Sequence, residues 1–239
     1  MAAFSLRRLL AAVPTLFALI AISFFIMRAA PGGPFDAERA LPPEVEANLA
    51  RTYHLDEPLP MQFARYLGAL ARGDLGPSFQ YRDWSVNDLI AAGLPVSVRI
   101  GAWSLVLGVG AGIALGTFAA LRRGTLADHA AMGVALSGIS VPTFVTAPVL
   151  ILVFAVTLGW LPAGDYGGGS WRHLVLPVIT LALPQVAYVA RLVRGSLVEV
   201  MQADFIRTAR AKGLQTSAII FRHAMKPALQ PIEIGRAHV

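Results

Sequence analysis

Four stretches of this chain carry no Asp, Glu, Lys or Arg over membrane-crossing lengths: 9–27, 100–121, 129–164 and 173–190, which are 19, 22, 36 and 18 residues long. A helix rising about 1.5 Å per residue crosses a bilayer core with about 20 apolar residues. Inside lipid every backbone amide must find a partner within the chain, so such segments take the helical form. Charged residues make up only 14% of the chain, against about 25% in an ordinary soluble domain. Four buried core helices of a soluble protein therefore do not account for the pattern. The expected fold is all-α, a polytopic transmembrane helix bundle with four spans. The third run, with its apolar body at 130–158, is long enough to tilt or overhang.

The first run is not read as a cleaved leader. Arg7 and Arg8 resemble the basic start of one, and Ala29 and Ala30 a small-residue site. The apolar run exceeds the usual leader core of about 7–15 residues, and Arg28 stands where a small residue is wanted. The chain has no cysteine, which excludes disulfides, thiolate metal sites and a thiol nucleophile. Its net charge of +6 does not indicate nucleic acid, because the basic residues flank apolar spans and lie in no nucleic-acid motif.

Lys and Arg set the orientation of membrane proteins. With the N-terminus cytoplasmic, the inner segments hold 11 basic residues (Arg7, Arg8, Arg122, Arg123, Arg191, Arg194, Arg207, Arg210, Lys212, Arg222 and Lys226) and three acidic ones, Asp128, Glu199 and Asp204. The outer segment between the first two runs holds seven basic and nine acidic residues. The expected topology is thus multi-pass in the cytoplasmic (inner) membrane with the N-terminus inside. Within the spans, Gly108, Gly112 and Gly116 form a small-xxx-small face for close helix packing. Pro142 and Pro148 bend the third span, and Pro177 and Pro184 the fourth.

The chain divides into an N-terminal span at 1–30, a mostly helical extracytoplasmic segment at 31–98 and a transmembrane core at 99–232 containing a cytoplasmic segment at 199–226. In the outer segment, 44–51 reads as a short helix after Pro42 and Pro43. A second helix at 59–72 is closed by Gly73, and Ser85 with Asp88 reads as a capping box. After the fourth span, Asp204 is an N-cap or first-turn acid. Phe205, Ala209 and Leu214 form a narrow apolar stripe beside basic Arg207, Arg210 and Lys212. Gly213 permits a sharp turn. An amphipathic stretch at 216–225 follows, and Pro227 ends it. On chemistry alone this pair of short helices is also compatible with an interfacial helix on lipid head groups.

The string Arg207-Thr208-Ala209-Arg210-Ala211-Lys212-Gly213, followed by Arg222-His223 and Pro227, resembles the cytoplasmic coupling loop of ABC importer permeases. Arg207-Thr208-Ala209 stands where that family has Glu-Ala-Ala, as in its peptide branch, and the family glycine corresponds to Gly213. Other segments resemble the branch in the same order: 30–34, 53–56, 73–78, 120–123 with Asp128, 159–162 and 190–196. The segments 41–45 and 81–89 resemble the B-type permease of oligopeptide importers most. The usual Asp of the first segment is Gly33 here.

This resemblance implies a transport subunit, not an enzyme, that passes oligopeptides. It implies a second permease subunit, two ATPase subunits and an extracytoplasmic peptide-binding protein as partners, besides membrane lipid and without nucleic acid. No cofactor is expected in this chain, ATP and Mg²⁺ being held by the ATPase subunits; the sequence has no G-x-x-x-x-G-K-[ST] loop. No catalytic or metal-ligating set is recognisable, and His223 is assigned to the coupling loop together with Asp204, Phe205, Thr208 and the residues above. Family members have about six spans, so the chain stops as a fifth would begin. Residues 233–239 read as a non-native tail, since 234–239 looks like translated adapter sequence. Alternatives within the family are permeases for dipeptides, nickel or other small solutes. Alternatives outside it are a membrane-anchored enzyme or a scaffold.

Overall fold

The computed structural model describes residues 2–29, 56–78, 81 and 84–234. The helix expected at 44–51 and residues 235–239 of the expected tail lie outside the described residues. Among the described residues there are helices and one isolated bridge between Pro77 and Ser85, and no strand. The chain separates into two compact units, Met1–Gly93 and Leu94–Val239.

In the first unit, α1 (Ala2–Ala29) contains the first span, and α2 (Leu59–Ala71) packs against it through rings. Phe24 lies 5.2 Å from Phe63 and 5.7 Å from Tyr66, centroid to centroid, within the range where aromatic pairs attract. Pro58 precedes α2, and the Gln62 side-chain amide donates to the Glu57 carbonyl at 2.7 Å. Gly73 and Asp74 close the helix with amide bonds to the carbonyls of Leu70 and Ala69, at 2.9 and 3.0 Å.

The second span is longer than its charge-free run. Helix α3 is Val86–Leu121 and starts at the capping box instead of at 100. Ser85 N–H donates to Asp88 Oδ2 at 3.0 Å, and Asp88 N–H donates back to Ser85 Oγ at 3.1 Å. A cap of this kind contributes about 1 kcal/mol. In Ser85→Ala, amide hydrogen exchange should speed up over the first turn of α3 and stay unchanged at 104–119; equal exchange at the first turn would show that the box is dispensable.

The second unit is organised around α6 (Trp171–Val200). It runs through Arg191, Arg194 and Glu199, beyond the charge-free 173–190, and holds Pro177 and Pro184 without interruption. The third apolar run, expected as one bent span, is two segments. Helix α4 (Leu126–Ser140) and the segment Thr143–Thr157 meet at 104°. Pro142 disfavours helical geometry at the preceding residue, and Val141 is extended at φ −100, ψ 119. Pro142 itself, at φ −58, starts α5 (Thr143–Leu150), which continues as a π-wound stretch, Ile151–Thr157. Asp128 at the start of α4 bonds to Arg194, near the C-terminal end of α6. Tyr166, after the π-wound stretch, accepts from Arg99 at 3.3 Å and lies just before the N-terminal end of α6. The bent pair therefore runs from one end of α6 to the other, as a broken span does and a re-entrant loop does not. With it, the described residues hold four spans, of which α1, α3 and α6 are long and apolar enough singly.

Gly108, Gly112 and Gly116 are buried and line α3 where it meets α6. A Cβ on Gly108 would sit 2.6 Å from Gln185 Cβ, and one on Gly112 2.6 Å from Val189 Cβ. At Gly116 a Cβ would overlap the Ala190 carbonyl oxygen. On α4, Gly138 meets the Leu183 carbonyl of α6 in the same way. Small residues thus let two helices approach α6 to backbone contact, as membrane helices do where burial of apolar surface adds nothing.

Candidate coupling site at the end of α6

Beyond α6, residues 201–203 turn the chain into α7 (Asp204–Ala211). Ile206 and Ala209 are its buried residues, three positions apart and so on one face. They join Leu197 of α6, Ile219, Ala224 and Ala228 in one apolar cluster, with Ala120, Val200 and Met201 packed around it. This corrects the expected stripe. Phe205 is 49% exposed and Leu214 41% exposed, while Ile206 takes the seat. Ile206 and Ala209 share one buried cluster with Leu197, Ile219, Ala224 and Ala228, and the neighbouring position 205 falls about 100° round the helix from 206, outside it.

Asp204 is a first-turn acid, and the N-cap is Ala203. The Asp204 side chain meets Arg207 at 3.2 Å in solvent, a contact of little energetic weight. Its carbonyl accepts from the Thr208 hydroxyl at 3.0 Å. Arg207, Thr208, Arg210 and Lys212 are exposed. The helix thus presents a basic face with Phe205 on it and holds itself by two apolar residues.

Gly213 ends α7 at φ +80. Its N–H donates to the Arg210 carbonyl at 2.9 Å, and Leu214 N–H donates to Ala209 at 3.3 Å. Together these bonds close the helix in the Schellman manner, with the left-handed residue at the position glycine favours. A Cβ there would meet nothing within 4 Å, so backbone conformation, not space, selects glycine. The chain returns as α8 (Thr216–Ala218), a π-wound turn Ile219–Ala224, and α9 (Met225–Ile234). Pro227 does not end the amphipathic stretch. It lies inside a continuous helical stretch, just after the π-wound turn whose bond from Met225 N–H to the Ile220 carbonyl carries the winding on into α9. His223 is half-buried in the π-wound turn. No group of three or more metal-ligating side chains is found among the described residues.

The sequence reading missed two features here. One is Ile206. The other is the ion pair that ties α4 to α6 just above this site. Arg194 Nε and Nη2 donate to Asp128 Oδ1 and Oδ2, both at 2.6 Å, and Gly124 N–H donates to Oδ2 at 2.9 Å. Asp128 is 1% exposed. The available signal was that both charges fall on the same side of the membrane in the alternating topology.

A broken span, a glycine-packed α3 and α6, and an amphipathic helix beyond the end of α6 define a polytopic membrane protein with a preformed knuckle at one end. The chain belongs to the binding-protein-dependent transport system inner membrane components, whose family model matches residues 112–235; the N-terminal model of the same family matches 1–100. It is 54% identical to the oligopeptide transport system permease protein OppB of Salmonella typhimurium over 229 residues, covering 96% of this chain and 75% of that protein. Identity to OppB of Escherichia coli K12 is 52% over the same coverage. The dipeptide transport system permease protein DppB of Bacillus subtilis is 43% identical over 232 residues, 97% of this chain and 75% of that protein.

Proposed function

We propose that this chain is the permease subunit of an ABC importer that passes oligopeptides across the cytoplasmic membrane, driven by separate ATPase subunits. The observation that carries the reading is α7: a short helix seated by Ile206 and Ala209 in one apolar cluster with Leu197 of α6 and Ile219, Ala224 and Ala228 of the returning chain, with Phe205, Arg207, Arg210 and Lys212 exposed on its other side. Its relatives named for oligopeptide transport, at 52–54% identity, favour oligopeptides over the dipeptides of the relative at 43%.

The partners are a second permease subunit, two ATPase subunits against which α7 rests, and an extracytoplasmic binding protein that delivers the peptide. The role of the ATPase subunits follows from the absence of a phosphate-binding loop in this sequence. The N-terminus is cytoplasmic, supported by the placement of Arg122, Arg123, Arg191, Arg194 and the basic face of α7 at the same end. Residues 204–213, His223 and Pro227 form the coupling segment, which moves with α6 as a rigid body.

The subunit, assembled with its partners in proteoliposomes, should take up labelled tri- to pentapeptides when ATP is enclosed, and far less of a dipeptide or of chelated nickel. Uptake confined to dipeptides or nickel would reassign the substrate. ATP-independent uptake, or failure of an ATPase subunit to co-purify, would overturn the reading.

A further inference from the structure

The described ion pairs differ sharply in setting. Arg65 with Glu57 and Arg207 with Asp204 are solvent-exposed contacts, whereas the Asp128 carboxylate is withdrawn from solvent and forked onto Arg194. A planar guanidinium bonded through two nitrogens fixes both distance and angle between the elements that carry it. Starting α4 does not require that fork, because Thr125 already caps the helix by accepting from Asp128 N–H. The same carboxylate also takes the Gly124 amide, so it binds the turn after α3, the start of α4 and the end of α6 at one point.

That point lies about one helical turn before Leu197, the α6 residue that shares a buried apolar cluster with Ile206 and Ala209 of α7. A line of contacts thus runs from the α7 cluster through Leu197 and Arg194 of α6 to Asp128, which stands at the head of the broken span. We propose that Asp128 and Arg194 are a positioning pair that transmits movement of the coupling helix from α6 into α4 and the bent span beyond it. The inference rests on the functional reading above and adds the residues by which motion leaves α6.

The test uses the importer assembled with its partner subunits in proteoliposomes. Peptide uptake, ATP hydrolysis and the amount of co-purified ATPase are measured for wild type, Arg194→Lys and Asp128→Asn. Arg194→Lys keeps the cation and loses the fork. The expected result for both variants is unchanged ATPase co-purification, hydrolysis within about twofold of wild type, and at least tenfold fewer peptides imported per ATP. A purely structural staple would lower the amount of assembled complex and leave that ratio unchanged. An unchanged ratio in wild-type background assembly therefore overturns the inference. Where Asp128→Asn does not assemble, Arg194→Lys decides alone. Wild-type uptake with unaltered ratios in the variants sinks this inference only; a wild type without ATP-driven uptake sinks the functional reading and this inference with it.

Discussion

Gly213→Val is expected to abolish peptide uptake while the chain still inserts in the membrane and the spans stay folded. A β-branched residue at φ +80 is a genuine backbone outlier, at a cost of about 1–2 kcal/mol from left-handed geometry alone plus the two closing bonds from Gly213 and Leu214. The cheapest escape is to unwind the end of α7, which withdraws Ala209 from Leu197 and frees the basic face from its seat. Gly213→Asn supplies the control, since asparagine visits left-handed geometry readily. Uptake in the Asn variant should remain within a few-fold of wild type. Loss of uptake with Asn and Val alike would show that the position is read by a partner through its lack of a side chain, and not through its backbone.

Gly116→Leu has the larger effect on the fold. At this position a side chain meets the Ala190 carbonyl and the Val193 Cβ, which lies 2.9 Å from where a Cβ would stand. Backbone cannot swing aside as a flexible side chain can, so α3 and α6 must part. Overpacking of a close contact costs about 1–3 kcal/mol, occasionally more. Separating the helices also forfeits the contacts at Gly112 and Gly108. The expected outcome is a marked fall in detergent-stable protein and a thermal midpoint lowered by several degrees. Gly110→Leu, on the exposed face of the same helix where a Cβ meets nothing within 4 Å, should leave both unchanged. If Gly116→Leu is as stable as wild type, the glycine seam does not hold α3 to α6.

The parts of this molecule that could be read from residues alone were those set by local rules. Absence of charge located the spans, because a charged side chain in hydrocarbon is expensive whatever its neighbours. Ser85 with Asp88, and Gly73 after α2, marked helix ends through bonds made within a few residues. Gly108, Gly112 and Gly116 announced a packing face, although nothing in their spacing said that Gln185, Val189 and Ala190 would meet them. Features decided by tertiary packing were read less well. Either 205 with 209 or 206 with 209 makes an apolar stripe on a short helix, and only the position of Leu197 chooses the second. Pro227 reads as a stop until the π-wound turn before it resets the helix. Asp128 and Arg194 are 66 residues apart, and no local pattern joins them. The broken third span lay between these cases: Pro142 signalled a bend, but its angle depends on what α4 and α5 each find on α6.

That break has a cost that lipid cannot meet. A helix end leaves its last carbonyls without intrahelical partners, and the Ser140 and Thr146 hydroxyls that flank the elbow donate elsewhere, to the Leu136 carbonyl at 3.0 Å and the Pro142 carbonyl at 3.3 Å. Acyl chains offer no hydrogen bonds, so irregular backbone at mid-membrane depth persists only against protein or beside water. For a span that crosses the bilayer as this one does, that rule calls for protein or water, and not acyl chains, beside the exposed corner at Val141 and Pro142.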